Sequence, residues 1–376
     1  MRIAYEGLIY QMLPLGGIAR YIDEIIERLP DQDEPCVLLP NGFEFSPKHP
    51  QLKTASVAVE FPIASRTANK LLGRYWRRYR WKKIQTQYAA FQADLHHWSY
   101  YCGLCYRPVV RRNKPTVVTV HDFIFQQYPE LDKNGKQRQW MENAIRKADR
   151  LICISQATYH DLCNRFPTAA SKAVVTPLGN SFSSVTASPL PDSLRDRPYL
   201  LFVGRRTGYK NFITIWKAWK KARERHKDLQ LVAAGPPLSE REARQLSISP
   251  DESGFLSLGK VSDPVLKSLY QNCKAFIFPS HMEGFGLPAV EAMESGCLVL
   301  ASNCEALKEV CGGAAYHFDS VDTDALTQLI EIAVTIPEGQ KKSRIAHGKQ
   351  QASRFSWDQT TEQTLSIYRD LTDQSV

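Results

Sequence analysis

Short apolar runs alternate with helical periodicity along most of the chain. Arg2–Tyr5 reads as a first strand. After a Gly16-Gly17 turn, Ile18, Tyr21, Ile22, Ile25, Ile26 and Leu29 recur at the three- and four-residue spacing of one helix face. Further apolar runs follow at Cys36–Leu39, Val57–Val59, Asp94–Trp98, Thr116–Val120, Leu151–Ile154 and Val174–Thr176. Such runs, bounded by turn residues and separated by helices, predict a parallel sheet covered on both faces. Residues 181–198 carry many Ser and Pro and no long apolar run, which reads as a linker. A second series then predicts strands at Tyr199–Val203, Leu229–Ala234, Phe255–Leu258, Ala275–Phe278, Leu298–Ala301 and Ala315–Tyr316. Helices fit at Phe212–Arg225, Asp263–Gln271, Pro288–Ser295 and Thr323–Val334. The expectation is α/β, two doubly wound domains in tandem over 1–180 and 199–356.

Composition changes this picture little. A chain of 376 residues, 43% hydrophobic and 23% charged, has room for two cores. No apolar run approaches the ~18–20 residues of a membrane span. Glu6 breaks the apolar start and no small-residue cleavage site follows, so the expected location is cytoplasmic. Nine scattered cysteines fit a reducing compartment. Cys102 and Cys105 form a C-x-x-C after His96 and His97. It reads either as a zinc or redox pair or as a strand end running into a loop; no second pair accompanies it, and no metal site is expected.

Charge adds more. The net charge is +9, and from Phe61 to Ala93 there is no Asp or Glu. That stretch holds Arg66, Lys70, Arg74, Arg77, Arg78, Arg80, Lys82 and Lys83. Over Ala68–Tyr88, Leu72, Trp76 and Tyr79 share one helical face among these cations. Such a helix suits the surface of an anionic membrane, which would place the protein peripherally on its inner face. The same aromatics could equally pack inside the first domain. No nucleic-acid motif accompanies the charge, so no nucleic-acid partner is expected.

In parallel sheets, ligands bind beyond the carboxyl ends of the strands, and the unusual residues fall there. HMEGFGLPAVEAMESG, His281–Gly296, follows an apolar strand. Gly284 and Gly286 let backbone approach a ligand, Pro288 suits a first helical turn, and helix-start amides attract an anion. Glu283 and Glu291 would flank that anion, Glu291 from the first turn. Alternatively, Glu291 only complements the helix dipole and Glu283 is a solvated loop residue. FVGRRTGYKNF, Phe202–Phe212, puts Arg205, Arg206 and Lys210 in a turn suited to phosphate oxygens. Gly16 and Gly17 open a helix in GGIARY. His121 and Asp122 follow the strand Thr116–Val120.

Glu283–Met293 resembles the E-x7-E signature of the GT-B-fold glycosyltransferases of family four. The resemblance implies two Rossmann-like domains facing each other across a cleft. It implies a retaining hexosyltransferase acting on a nucleotide-sugar donor, UDP-glucose being the expected kind, and on a glycan or lipid-linked acceptor in polysaccharide synthesis. By the same resemblance Glu283 contacts the donor sugar and Glu291 the ribose, while the amides of Phe285, Gly286 and Leu287 meet sugar and phosphates. Gly204, Arg205, Lys210 and Asn211 match the family's G-R-x4-K-N/G element. Arg206 is an extra arginine, and either of the pair could grip the diphosphate. The Gly16-Gly17 loop would lie over the phosphates, and His121 near the sugar; His121 and Glu283 are the expected catalytic residues. Leu258–Asp263 resembles the loop that receives the base, through Val261. Thr176–Asn180 resembles the strand end before the linker. Phe355–Trp357 resembles the crossover before a last helix, 357–376, that returns to the first domain. The resemblance is weakest over residues 40–90.

No D-x-D pair follows a strand and no covalent nucleophile is evident. A metal-independent, same-face displacement needing no cofactor is therefore expected. Two other readings remain: a nucleotide-sugar 2-epimerase of the same fold, and a nucleic-acid-binding protein.

Overall fold

The computed structural model describes residues 1–7, 9–10, 16–40, 48–57, 92–99, 114–195, 197–249 and 252–373. The basic segment Ala68–Tyr88 and the Cys102/Cys105 pair lie outside these residues.

The chain divides into two compact units: Met1–Pro177 with Trp357–Val376, and Leu178–Ser356. The first contains β1 (Arg2–Glu6), β2 (Glu34–Pro40), β3 (Lys53–Val57), β4 (Leu95–Trp98), β5 (Thr116–Val120), β6 (Arg150–Cys153) and β7 (Ala173–Val175). All pair in parallel, in the order β3-β2-β1-β4-β5-β6-β7. β5 is built wholly of Val and Thr and is buried throughout, as expected for β-branched residues in a sheet covered on both faces. Its helices are α1 (Gly17–Glu27), α2 (Ile124–Gln127), α3 (Lys136–Lys147) and α4 (Gln156–Arg165).

The second unit holds β8 (Tyr199–Val203), β9 (Gln230–Ala234), β10 (Phe255–Gly259), β11 (Ala275–Phe278), β12 (Val299–Ser302) and β13 (Tyr316–Phe318). They pair in parallel as β10-β9-β8-β11-β12-β13. Its helices are α5 (Phe212–Arg223), α6 (Glu240–Leu246), α7 (Asp263–Asn272), α8 (Leu287–Glu294), α9 (Glu305–Cys311), α10 (Thr323–Thr335) and α11 (Glu338–Ala352). α5 buries Phe212, Ile215, Trp216 and Trp219 in one core with Leu200, Phe202 and Leu231 of the sheet. α12 (Trp357–Asp373) then packs in the first unit.

Three expectations change. The strand read at Val57–Val59 begins earlier, since its paired register runs back to Lys53 opposite Cys36; Val59 lies outside the described residues. Residues 181–198 are not a free tether but part of the second unit. Phe182 is buried against Tyr270, and Lys267 Nζ donates to the carbonyls of Phe182 and Val185, each at 2.7 Å. Glu291 is the fifth residue of α8 and so belongs to its second turn, since the helix already begins at Leu287.

The first unit's core is partly polar. Tyr368 of α12 hydrogen-bonds His97 Nδ1 and the Tyr5 hydroxyl. His97 Nε2 meets Thr119 Oγ1 at 2.7 Å, and Tyr21 meets the same oxygen at 2.9 Å. Burial pulls His96 to about 4 and His121 to about 4; His97, also opposed by His121, falls to about 3.

This core predicts acid sensitivity with a definite sign. An unfolded histidine titrates near ~6.5, well above these folded values. The contribution to stability is whole above that pH and is lost as the pH falls toward the folded value, because the unfolded chain binds more protons. Moving to pH 5 costs about 2 kcal/mol for each histidine that stays neutral in the fold. Thermal unfolding followed from pH 7.5 to pH 5 should therefore show a steep fall, and His97→Gln should flatten it. An equal slope in that variant would show that His97 does not contribute.

Candidate active site

The second sheet changes direction of winding at β8, which has β9 on one side and β11 on the other. The connections leaving β8 and β11 part company there, which opens a crevice at the carboxyl ends of the strands. The two glycine-containing motifs are these two connections.

After β8, Gly204 has φ 134° and a 3-10 turn at Gly208–Lys210 leads to Asn211, which is in the left-handed region at φ 52°. Asn211 is buried and holds the turn down. Its Nδ2 donates to the Ser320 carbonyl at 2.6 Å and to the Pro279 carbonyl at 3.2 Å, and its Oδ1 accepts from Thr214. It thereby ties the ends of β8, β11 and β13. The loop after β11 is fixed to the same turn, since the His281 amide donates to the Tyr209 carbonyl at 2.8 Å. His281 Nδ1 also hydrogen-bonds Ser320 Oγ at 2.7 Å.

These ties bring two expected site residues together. Lys210 Nζ donates to Glu283 Oε1 at 2.6 Å, with side-chain exposures of 18% and 9%. The ammonium also lies 5.2 Å from the ring centres of Tyr209 and Phe278, a favourable cation–π position. Glu283 is thus no solvated loop residue. Beyond it, Gly286 caps α8 at φ 116°, and a Cβ there would come within 2.6 Å of Leu307 Cδ2. No side chain caps α8, so its dipole and the Leu287 amide are available to an anion. The Phe285 ring is buried edge-on to Phe355 at 5.2 Å.

Glu291 is buried one turn further on, where its Oε2 accepts from the Tyr270 hydroxyl at 3.4 Å. Burial and then the Glu291 charge push the Tyr270 hydroxyl well up, so it stays a donor. The two arginines separate clearly. Arg205 is exposed, whereas Arg206 is 1% exposed and donates through Nη2 to the Pro236 carbonyl at 2.6 Å. Val261 is half-buried just past β10.

Sequence reasoning overlooked Gly235. Gly204, Gly235 and Gly259 end the adjacent strands β8, β9 and β10, all with positive φ. A Cβ on Gly235 would stand 2.3 Å from the Gly204 carbonyl oxygen, while one on Gly259 would meet nothing. The signal was present as a G-P-P following an apolar strand. It also overlooked Tyr270, a helix residue with no motif around it.

In the first unit, Gly16 caps α1 and Gly17 begins it. His121 is buried at the end of β5, with Nε2 2.7 Å from the Ser99 carbonyl. A carbonyl only accepts, so Nε2 carries the proton and the lone pair is on Nδ1. Tyr21, from the same Gly16–Tyr21 motif, stands edge-on to His121 at 5.4 Å. Asp122 accepts from the Ile124 amide and shapes the turn. Among the described residues, no three His, Cys, Asp or Glu side chains gather as metal ligands, and no helix is long and apolar enough to cross a membrane.

Comparison with known proteins bears on the family and the fold. The model of the glycosyltransferase family 4 matches residues 15–180, and that of the glycosyl transferases group 1 matches residues 191–351. The O-antigen chain mannosyltransferase B of Escherichia coli is 29% identical over 95% of this chain and 96% of its own. An alpha-maltose-1-phosphate synthase of Mycolicibacterium smegmatis is 25% identical over 98% and 99%. Among solved structures, sucrose-phosphate synthase from Thermosynechococcus elongatus matches with a TM-score of 0.78 at 18% identity, over the whole of both chains. Anabaena HepE, in complex with UDP and glucose, matches with a TM-score of 0.73 at 19% identity over 98% and 99%. The epimerase and nucleic-acid readings gain no support from these likenesses. With one family model on each Rossmann-like unit, the chain belongs to the GT-B-fold glycosyltransferases of the family-four kind, enzymes of polysaccharide and glycan synthesis.

Proposed function

We propose that this chain is a retaining hexosyltransferase that moves a sugar from a nucleotide-sugar to a growing glycan or lipid-linked acceptor without a divalent metal. The observation that carries the reading is the Lys210–Glu283 pair at the crevice beside β8. Departure of a nucleoside diphosphate builds negative charge on its phosphate oxygens. Lys210, the exposed Arg205 and the uncapped start of α8 supply fixed positive character for that charge. Glu283, oriented by Lys210, would take hydrogen bonds from sugar hydroxyls, and Glu291 would do so from the ribose. The backbone at Val261 would meet the base, and the Gly16-Gly17 turn the phosphates. His121, neutral with its lone pair on Nδ1, would accept a hydrogen bond from the sugar rather than supply a cation. The acceptor oxygen would attack the anomeric carbon on the face the phosphate leaves, passing its proton to a departing phosphate oxygen.

The transferred sugar is proposed to be mannose, since a mannosyltransferase aligns over nearly the full length. UDP-glucose is the second reading, the structurally similar Anabaena protein having been solved with UDP and glucose. Incubating labelled GDP-mannose and UDP-glucose separately with glycan acceptors tests both, with the anomeric configuration of the product read by NMR. Retention, with full activity in excess EDTA, is expected. Inversion of configuration, or activity abolished by EDTA and restored by magnesium, would overturn this chemistry.

Charge removal gives a second test. Glu283→Ala and Lys210→Ala should each lower turnover on the order of 10²-fold, as expected for a lost electrostatic stabiliser. Near-normal rates in both folded variants would move the active site elsewhere.

The basic, aromatic sequence at 68–88 supports a peripheral hold on an anionic membrane, where a lipid-linked acceptor would reside. Sedimentation with vesicles containing acidic lipid should carry down the wild type. Changing Arg77, Arg78 and Arg80 together to Ser should weaken this; equal partitioning would leave the segment without a membrane role.

A further inference from the structure

Arg206 is a guanidinium taken almost wholly out of solvent, and its Nε and Nη1 find no hydrogen-bond partner among the described residues. Burying a cation on these terms is expensive. Its remaining nitrogen has two neighbours: the Pro236 carbonyl at 2.6 Å and Glu242 Oε2 at 3.6 Å. Pro236 belongs to the connection between β9 and α6, and Glu242 to the first turn of α6 itself.

That connection is short of means to hold itself. Pro236 and Pro237 have no N–H to donate. Gly235 lies so close over Gly204 that no side chain fits between them. At its far end, Ser239 and Glu242 form a reciprocal capping box, with the Ser239 amide and hydroxyl both donating to Glu242 Oε2. Arg206 reaches the Pro236 carbonyl near one end of this segment and the Glu242 carboxylate at the other. Its own backbone adjoins Arg205 and Gly204, so it spans from the turn after β8 to the loop after β9.

We propose that Arg206 is a positioning residue. It fixes the Gly235–Ser239 loop against the Gly204–Arg205 turn and so sets the shape of the nucleotide-binding end of the site, while Arg205 is the one of the two arginines that meets the phosphates. This rests on the reading that a nucleoside diphosphate binds at the carboxyl ends of β8–β10.

The two arginines then predict different signatures in calorimetric titration of UDP and GDP at several salt concentrations. Arg205→Ala should weaken binding and also flatten its salt dependence, because a phosphate contact is gone. Arg206→Lys keeps one donor for Pro236 but not the fork, and Glu242→Gln removes the charge that faces it. Each should weaken binding roughly tenfold, raise the donor KM more than it lowers kcat, and leave the salt dependence unchanged. Combining them should cost less than the product of the two single effects, since they act through one strut. Binding within twofold of wild type in folded Glu242→Gln and Arg206→Lys would overturn the proposal. So would a loss of salt dependence in Arg206→Lys equal to that of Arg205→Ala. If Arg206→Lys does not fold, Glu242→Gln decides. Failure of the wild type to bind either nucleotide would instead defeat the donor-site reading itself.

Discussion

An ammonium and a carboxylate held 2.6 Å apart in a mostly desolvated crevice are costly to assemble. The fold stabilises them only if both loops that carry them are held in place. Lys210 leaves β8 and Glu283 follows β11, two strands that lie side by side although distant in sequence. Without the reversal of strand order at β8 these connections would not leave the same sheet end as neighbours. Asn211 then accepts a left-handed backbone in order to bind the carbonyls of Pro279 and Ser320. The pair is therefore poor evidence of stability and better evidence of a place where charge is wanted.

Legibility in the sequence followed this physics. β5, β8 and β11 are legible to the residue because they are runs of apolar and β-branched residues closed by turn residues. The start of β3 is not legible because Lys53–Val57 begins with polar residues, and its register comes from pairing with β2. Helix α11 escaped notice for a related reason. It buries only Gly348, Gln351 and Ala352 and carries almost no apolar face. The glycine motifs showed where backbone must pass close to something, but not which charged side chains would meet. Nothing in the spacing of Arg205 and Arg206 shows that one points to solvent and the other is enclosed. That difference depends on the Pro236 carbonyl, thirty residues away.

Glycines at the strand ends and at the start of α8 are kept for different reasons. Gly286 is required by a side chain, Leu307, pressed against α8. Gly235 is required by another backbone, that of Gly204. Gly259 has neither neighbour, and its left-handed backbone faces open space. A residue at a positive φ with nothing packed on it is kept for the path of the chain, here the turn from β10 toward Val261. The three positions look alike in sequence and differ only in what surrounds them.

The first unit contributes in a different way. Its central polar groups, Tyr5, Tyr21, His97, Thr119 and Tyr368, satisfy one another inside the core, and Tyr368 arrives from the far end of the chain. Such a network stabilises only when its members are paired and its histidines are neutral. His121 lies beside it under the same burial, with its proton committed to the Ser99 carbonyl. A histidine so placed serves poorly as a counter-charge for a leaving diphosphate. Under the proposed reaction the cationic part falls on the second unit, where Arg205, Lys210 and the start of α8 stand at the carboxyl end of one sheet. The two units thus differ in where they tolerate charge: neutral polar groups fill the buried core of one, and cations stand at the switch point of the other.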